Sequence, residues 1–430
     1  MTYSETLEYL FTAMPSFQNI GGDAYKPGLE RITSFCEILG SPHLKYKVIH
    51  IAGTNGKGST SHMLASVAQH SGYRTALFTS PHLRDFRERM RVDGEMISEE
   101  EVVEFVAQHR DVMERLQLSF FEMTAAMAFD FFARKGVDVA VIETGLGGRL
   151  DATNIVEPIL SIITNIGIDH TKFLGTTLAS IATEKGGIVK ANVPIVLGER
   201  GEEYTDVISD IACAKGSKLI FAEDSWSVED QKIYSVAQSI TLQKIDECTK
   251  VDLRLDLSGS YQAKNLVTAH TAIDWLAQNS LFNISEESVS EGLSSVISTT
   301  KLLGRWQTLC SSPRIICDTG HNAHGLKYVM EQLRITPRAR LIMVLGFAND
   351  KRLDEILPLF NIEDAHFIFT RPKVDRAFDC EKIAEVARRL GYDCETVANV
   401  SDAVKRAKDI ATCDDLIFVG GSNFVVAEVI

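Results

Sequence analysis

The sequence predicts an α/β protein made of two units, each built on a parallel-rich sheet. Three observations carry that prediction. Short apolar, β-branched runs alternate with amphipathic stretches of helical period. A glycine-rich loop with a single lysine joins one of those runs directly to a helical pattern. A second strand–helix series opens after the polar run Ser298-Thr299-Thr300-Lys301.

The first series reads strands at residues 48–51, 75–79, 137–143, 159–166, 194–197 and 218–221, with helical patterns such as 99–116 and 123–134 between them. Around 251–261 the pattern turns to strand and turn, and a helix follows over 265–278. The second series places strands at 314–318, 341–345, 366–370 and 416–420. It reads as a smaller Rossmann-like unit. The boundary falls near 297–303, which divides the chain into 1–297 and 298–430. The unusual polar residues fall just after strands, where open α/β sheets bind ligands.

Composition narrows the function. The 430 residues are 45% hydrophobic and 24% charged, as in an ordinary globular protein of two or three domains. A net charge of −14 gives no electrostatic footprint for nucleic acid. Eight cysteines without a C-x-x-C pair read as reduced thiols. The first residues lack a basic n-region and an apolar h-region, and no apolar run reaches the ~18 residues that span a bilayer. The expectation is a cytoplasmic, monomeric protein with small-molecule partners, no nucleic acid and no membrane.

The most informative segment is Gly53-Thr54-Asn55-Gly56-Lys57-Gly58-Ser59-Thr60, after the run Val48-Ile49-His50-Ile51 and before a helix. Glycines admit backbone N–H groups to phosphates, a helix N-terminus favours negative charge, Lys57 neutralises, and Ser59 or Thr60 can hold Mg²⁺. The loop is shorter than G-x-x-x-x-G-K-[ST]. Its lysine and hydroxyls at a strand-to-helix junction nonetheless favour phosphate over a bland turn, and point to ATP or GTP.

A second strand ends in Glu143 and runs into Gly145-Leu146-Gly147-Gly148-Arg149-Leu150-Asp151-Ala152. A carboxylate ending a strand beside a phosphate loop commonly serves Mg²⁺. A third ends in Asp169-His170, where His170 is as readily structural as a metal ligand. Ser80-Pro81-His82-Leu83 follows another strand, and the basic 84–91 stretch after it suits either a solvated loop or an acidic substrate. Glu184-Lys185-Gly186-Gly187 reads by itself as a helix ending in glycine. In the second unit Asp318 ends a strand before a glycine turn, a common place for an acid to accept nucleotide hydroxyls, and Arg305 suits a phosphate.

Together and in this order, these motifs resemble the folylpolyglutamate synthase/dihydrofolate synthase branch of the Mur ligase superfamily. Phe120-Phe121-Glu122, Tyr261-Gln262 with Asn265, Gly304-Arg305-Trp306, His321-Asn322, Asp350-Lys351 and Gly421-Ser422 extend the resemblance over almost the whole chain. It implies a P-loop-containing, Mur-ligase-like central domain and an ATP-dependent ligase adding L-glutamate to dihydropteroate or a reduced folate. By position, Asn55, Gly56, Lys57, Gly58, Ser59 and Thr60 hold the ATP phosphates, and Asn265, Arg305 and Asp318 hold the nucleotide from the domain interface. The resemblance assigns Ser80 and Glu143 to one Mg²⁺, and His170 and Lys185 to a second that Glu143 also serves. Lys185 would be carbamylated, which turns an ammonium into an oxygen ligand. Lys57, Lys185, His170 and Glu143 form the implied catalytic set. Pterin contacts map to Gly28, Leu29, Glu30 and Arg31, to Ser119, Phe120, Phe121 and Glu122, and to Leu150, Asp151 and Ala152. Thr144, Gly186, Gly320 and Ala323 depart from the usual pattern without touching these side chains, and leave substrate preference open. The rivals are a Mur-type ligase of a cell-wall precursor and a nucleotide-binding module without ligation.

Overall fold

Apolar runs between residues 47 and 221 assemble one eight-stranded sheet in the computed structural model, which describes residues 1–14, 27–349 and 352–430. Its strands are β1 (Lys47–Ala52), β2 (Thr75–Phe78), β3 (Met90–Val92), β4 (Glu95–Met96), β5 (Val139–Glu143), β6 (Leu160–Ile163), β7 (Ile195–Leu197) and β8 (Leu219–Phe221). The order is β4-β3-β2-β5-β1-β6-β7-β8. From β2 to β8 every pairing is parallel, and β3 and β4 add an antiparallel margin. β5 is buried along its whole length and β1 all but its first residue. Strands covered on both faces read as continuous apolar runs.

Helix starts follow local chemistry. The helix Phe120–Lys135 begins where Ser119 and Glu122 cap each other reciprocally, and ends at Gly136 with φ +61°. Ser98 and Glu101 start Glu99–Leu116 in the same way. The helix Lys57–His70 packs on β2 and β5 and against the helices Gln262–Gln278 and Glu286–Ser294. The last approach needs Gly292, whose Cβ would lie 2.7 Å from Val67 Cα. A three-stranded sheet of β9 (Trp226–Ile233), β10 (Gln238–Lys244) and β11 (Lys250–Leu255) follows.

A second sheet holds β12 (Gln307–Ser311), β13 (Arg314–Cys317), β14 (Leu341–Leu345), β15 (Ala365–Thr370), β16 (Cys394–Val397) and β17 (Leu416–Gly420), in the order β12-β13-β17-β14-β15-β16. All pairings but β12–β13 are parallel. Alternate residues feed opposite faces. Ile316, Met343, Phe367 and Phe418 enter one apolar cluster, and Ile315, Val344, Ile368 and Val419 the other. β17 returns between β13 and β14, so Asp318 follows a strand next to that reversal.

The chain divides into two units. One comprises Met1–Lys232, Ser239–Asp256 and Gln262–Lys301; the other Ile233–Gln238, Leu257–Tyr261 and Leu302–Ile430. The strand expected over 159–166 stops at Ile163, because Thr164 and Asn165 turn to brace the phosphate loop. The helices expected over 123–134 and 265–278 each begin three residues earlier. Among the described residues, no helix is long and apolar enough to cross a membrane. The eight cysteines are free thiols.

Candidate active site

The glycine loop is built by close approach. Gly53 (φ +153°) comes so near β6 that a Cβ would sit 1.9 Å from Thr164 Oγ1. At Gly56 (φ +82°) a Cβ would sit 2.2 Å from Asn265 Oδ1. Only glycine fits both the torsion and the space. The loop is held from below. Asn55 N donates to Asn165 Oδ1 at 3.0 Å, and Thr164 Oγ1 donates to Asn55 O at 2.6 Å. The helix then starts at Lys57, which puts Gly58, Ser59 and Thr60 in its first turn, where N–H groups lack intrahelical acceptors. Gln262 Nε2 donates to Ser59 Oγ at 3.1 Å, and Asn265 Nδ2 to Gln262 Oε1 at 2.8 Å.

Two lysines meet at this loop. Lys57 Nζ donates to Gly53 O at 3.0 Å and Thr54 O at 3.3 Å, and lies 4.0 Å from Glu143 Oε1. Lys185, from the end of the helix Leu178–Gly186, donates to the same Gly53 O at 2.8 Å. Burial, and then the charge of Lys57, lower the Lys185 amine to about 7. Glu143 ends β5 with 4% exposure, and its Oε2 accepts Ser80 N at 3.2 Å. The structure thus brings Ser80, Glu143, Lys57 and Lys185 to one loop. His170 follows β6 in a left-handed conformation (φ +50°), with Nε2 3.8 Å from Asp169 Oδ2. Among the described residues no group of three or more His, Cys, Asp and Glu side chains is placed to hold a metal ion.

An aromatic and acidic wall adjoins β2 and β5. Phe120 stacks on Phe11 at 5.1 Å, and Phe121 leans on Phe78 at 5.9 Å. Phe121 also presses on Gly145, where a Cβ would be 2.4 Å from its ring. Arg31, in the helix Glu30–Ile38, pairs with buried Glu122 at 3.1 Å. Gly28, Leu29 and Glu30 form the entry to that helix, with Gly28 at φ +109°. Asp151 is buried, and four donors from the chain converge on it. Oδ2 accepts Gly145 N and Leu146 N, both at 2.8 Å, and Oδ1 accepts Thr153 N at 3.0 Å and Thr153 Oγ1 at 2.5 Å. Its carboxylate therefore shapes the loop that carries Leu150 and Ala152. Burial raises its pKa, against those four bonds.

Sequence reasoning passed over several supports. Thr164, Asn165 and Gln262 act through other residues and match no motif of their own. Arg89 was visible only as part of a basic stretch. It turns inward with 4% exposure, donates through Nε to His82 Nδ1 at 2.8 Å, and lies 5.5 Å over the Phe120 ring. Arg87 from the same stretch instead pairs with Asp85 at 2.7 Å.

In the other unit, Asp318 is 3% exposed after β13. Tyr261 Oη donates to its Oδ2 at 2.6 Å and Trp306 N at 2.8 Å, while Gly320 N donates to Oδ1 at 2.7 Å. Arg305 Nη1 donates to Gly304 O at 3.3 Å and also to Thr319 Oγ1. Asp350 and Lys351 lie outside the described residues.

Comparisons with known proteins give the family. Residues 51–273 match the Mur ligase middle domain, and 304–423 match the Mur ligase, glutamate ligase domain. A dihydrofolate synthase/folylpolyglutamate synthase of Bacillus subtilis is 31% identical over 415 residues, covering 94% of each chain. A probable bifunctional folylpolyglutamate synthase/dihydropteroate synthase of Haloferax volcanii is 34% identical over all of this chain, which spans 50% of that longer protein. The structure of E. coli FolC in complex with DHPP and ADP superposes with a TM-score of 0.87 at 29% identity, over 100% of this chain and 97% of the other. By its two domain matches and its near full-length relatives, the chain belongs to the folylpolyglutamate synthase/dihydrofolate synthase family of Mur ligases.

Proposed function

We propose that this ligase uses ATP to join L-glutamate to dihydropteroate, to the glutamate tail of a reduced folate, or to both. The observation that carries the reading is the meeting of Lys57 and Lys185 at Gly53 O, beside Glu143 at the end of β5. The relative solved with DHPP and ADP supports the same pair of ligand classes.

The chemistry follows from charge. The acceptor's carboxylate attacks the γ-phosphorus of ATP, ADP leaves, and an acyl phosphate forms. The glutamate amine then attacks the acyl carbon, and inorganic phosphate departs as the amide forms and the amine loses its proton. Such transfer needs positioning and charge neutralisation more than a nucleophilic side chain. Lys57 leaves its loop carbonyls to meet the phosphates. The backbone of Asn55, Gly56 and Gly58, with Ser59 and Thr60, cradles them at the helix N-terminus. Asn265, Arg305 and Asp318 hold the rest of the nucleotide. Arg31, Ser119, Phe120, Phe121 and Glu122 face the pterin, with Gly28, Leu29 and Glu30 at its edge and Leu150, Asp151 and Ala152 as the loop beside it.

The residues fit Mg²⁺: Glu143 offers a hard oxygen next to Ser80, and Lys185 is buried with an amine lowered to about 7. A neutral amine is what carbamylation by CO₂ requires, and the product is an oxygen ligand. Ser80 and Glu143 would hold one ion, and Glu143, His170 and carbamylated Lys185 a second. When bound, Mg²⁺ neutralises phosphate oxygens.

The test is ADP release by the purified protein with Mg²⁺, ATP and L-glutamate, with dihydropteroate in one tube and tetrahydrofolate in another. Mass spectrometry should find a product heavier by one glutamyl residue. Bound ATP without ADP release in either tube would overturn the reading.

A further inference from the structure

Asp318 receives three donors, and they are unevenly shared. Oδ2 takes two of them, Tyr261 Oη at 2.6 Å and Trp306 N at 2.8 Å. Oδ1 takes one among the described residues, Gly320 N at 2.7 Å. A carboxylate oxygen accepts about two hydrogen bonds, so Oδ2 is filled and Oδ1 keeps room for one more. Trp306 adopts φ +47°, a left-handed conformation that costs an aromatic residue energy, with its ring buried at 1% exposure. That conformation aims its N–H at Asp318. Burial holds the Tyr261 phenol protonated, well above its usual pKa, so the hydroxyl is always a donor.

We infer that Tyr261 is a positioning residue that loads Asp318 Oδ2 and thereby presents Oδ1 to a ribose hydroxyl of the nucleotide. The inference rests on the proposed nucleotide role of Asp318 and adds to it the residue that sets the carboxylate's orientation and its preference for a ribonucleotide. Without the Tyr261 hydroxyl the carboxylate has one fixed donor fewer and can rotate. A donor from the ribose then meets a less ordered acceptor. The loss should be selective for nucleotides that carry the hydroxyl, because an analogue without it never used the bond.

The experiment compares kcat/KM for ATP and for 2′,3′-dideoxy-ATP in the wild type, Tyr261→Phe, Asp318→Asn and the double variant. A charged hydrogen bond to a substrate hydroxyl predicts about a 10- to 100-fold preference for ATP in the wild type. Tyr261→Phe should shrink that preference by about fivefold or more, mainly through KM for ATP. In the Asp318→Asn background, Tyr261→Phe should add no further change. A wild type that prefers ATP, with the same preference in Tyr261→Phe, overturns the positioning role. A wild type with no preference overturns the nucleotide role of Asp318 on which it rests. Should Tyr261→Phe not fold, 3-fluorotyrosine at 261 keeps the ring and strengthens the donor; an unchanged preference there also overturns the inference.

Discussion

Lys57 and Lys185 donate to one carbonyl oxygen, Gly53 O, from 3.0 and 2.8 Å. Two ammonium groups so placed repel each other, and burial adds to the cost for Lys185, whose amine falls to about 7. One lysine comes from the phosphate loop and the other from a helix end more than a hundred residues later in sequence. An arrangement that spends stability in this way is expected where charge is to be received.

Lys57→Ala should abolish ADP release while leaving the fold intact, because among the described residues Lys57 bonds two loop carbonyls and faces Glu143 at 4.0 Å. Loss of charge neutralisation in phosphoryl transfer costs about 10³-fold or more. The coupled ADP assay reads it directly. Turnover within tenfold of wild type would remove Lys57 from the mechanism.

Lys185→Ala should be equally inactive, for a different reason: the oxygen ligand proposed to be made from the lysine is gone. A short carboxylic acid such as acetate should restore a few per cent of the rate, since it can fill the cavity with an oxygen anion. Adding acetate to Lys57→Ala should restore nothing. Wild-type turnover in Lys185→Ala would sink the carbamate.

How far these roles were legible in the sequence depends on the kind of residue. Glu143 and Asp318 sit at strand ends and Lys57 opens a helix, each in a motif of its own, and the parallel strands β1, β5, β14 and β17 are buried apolar runs. β9 has mostly exposed residues and β4 only two, both exposed, so neither leaves an apolar signature. Lys185 read as a plain helix end until the resemblance pointed to it, because nothing local announces that its side chain is buried against Gly53. Tyr261 and Gln262 act on Asp318 and Ser59, far away in sequence. Such pairings exist only once the chain has folded.

Gly56→Ala should weaken ATP use and stability together. The left-handed torsion costs a non-glycine residue about 1–2 kcal/mol, and the new Cβ would press within 2.2 Å of Asn265 Oδ1. The expected result is a lower Tm and a KM for ATP raised severalfold. Thermal melts with and without ADP, alongside initial rates, check both. An unchanged KM would mean that the loop tolerates the shift of Asn265 and that its spacing is not critical.

Arg31→Met tests the proposed pterin wall. Arg31 reaches Glu122 at 3.1 Å, and Glu122 also caps its own helix through Ser119. Replacing Arg31 leaves that cap in place, whereas replacing Glu122 would break both. The KM for the pterin-bearing acceptor should rise about tenfold, roughly the value of one charge-assisted bond. The KM for ATP should hold. Equal rises in both constants would point to a general loss of structure.

His50 sets a limit on stability in acid. It lies on β1, with Nε2 2.8 Å from Thr153 Oγ1. Thr153 gives its one hydroxyl proton to Asp151 Oδ1, so it must accept from His50, which fixes the Nε2–H tautomer. Nδ1 is buried with no hydrogen-bond partner among the described residues. Protonating it would put a charge inside the sheet, and burial together with the charge of Lys190 depresses the imidazole to about 3. The folded pKa lies below the unfolded value of about 6.5. As pH falls below 6.5 the unfolded chain takes up a proton that the folded chain refuses. Stability is then full above that pH and declines through the window from 6.5 to 3, by about 2 kcal/mol at pH 5. His50→Gln keeps a donor for Thr153 and has no such titration. Urea denaturation at pH 7 and pH 5 should show the wild type losing about 2 kcal/mol more than the variant between the two. Equal losses in the two proteins would mean that His50 takes up its proton in the folded chain as readily as in the unfolded one, and that its burial sets no limit on stability in acid.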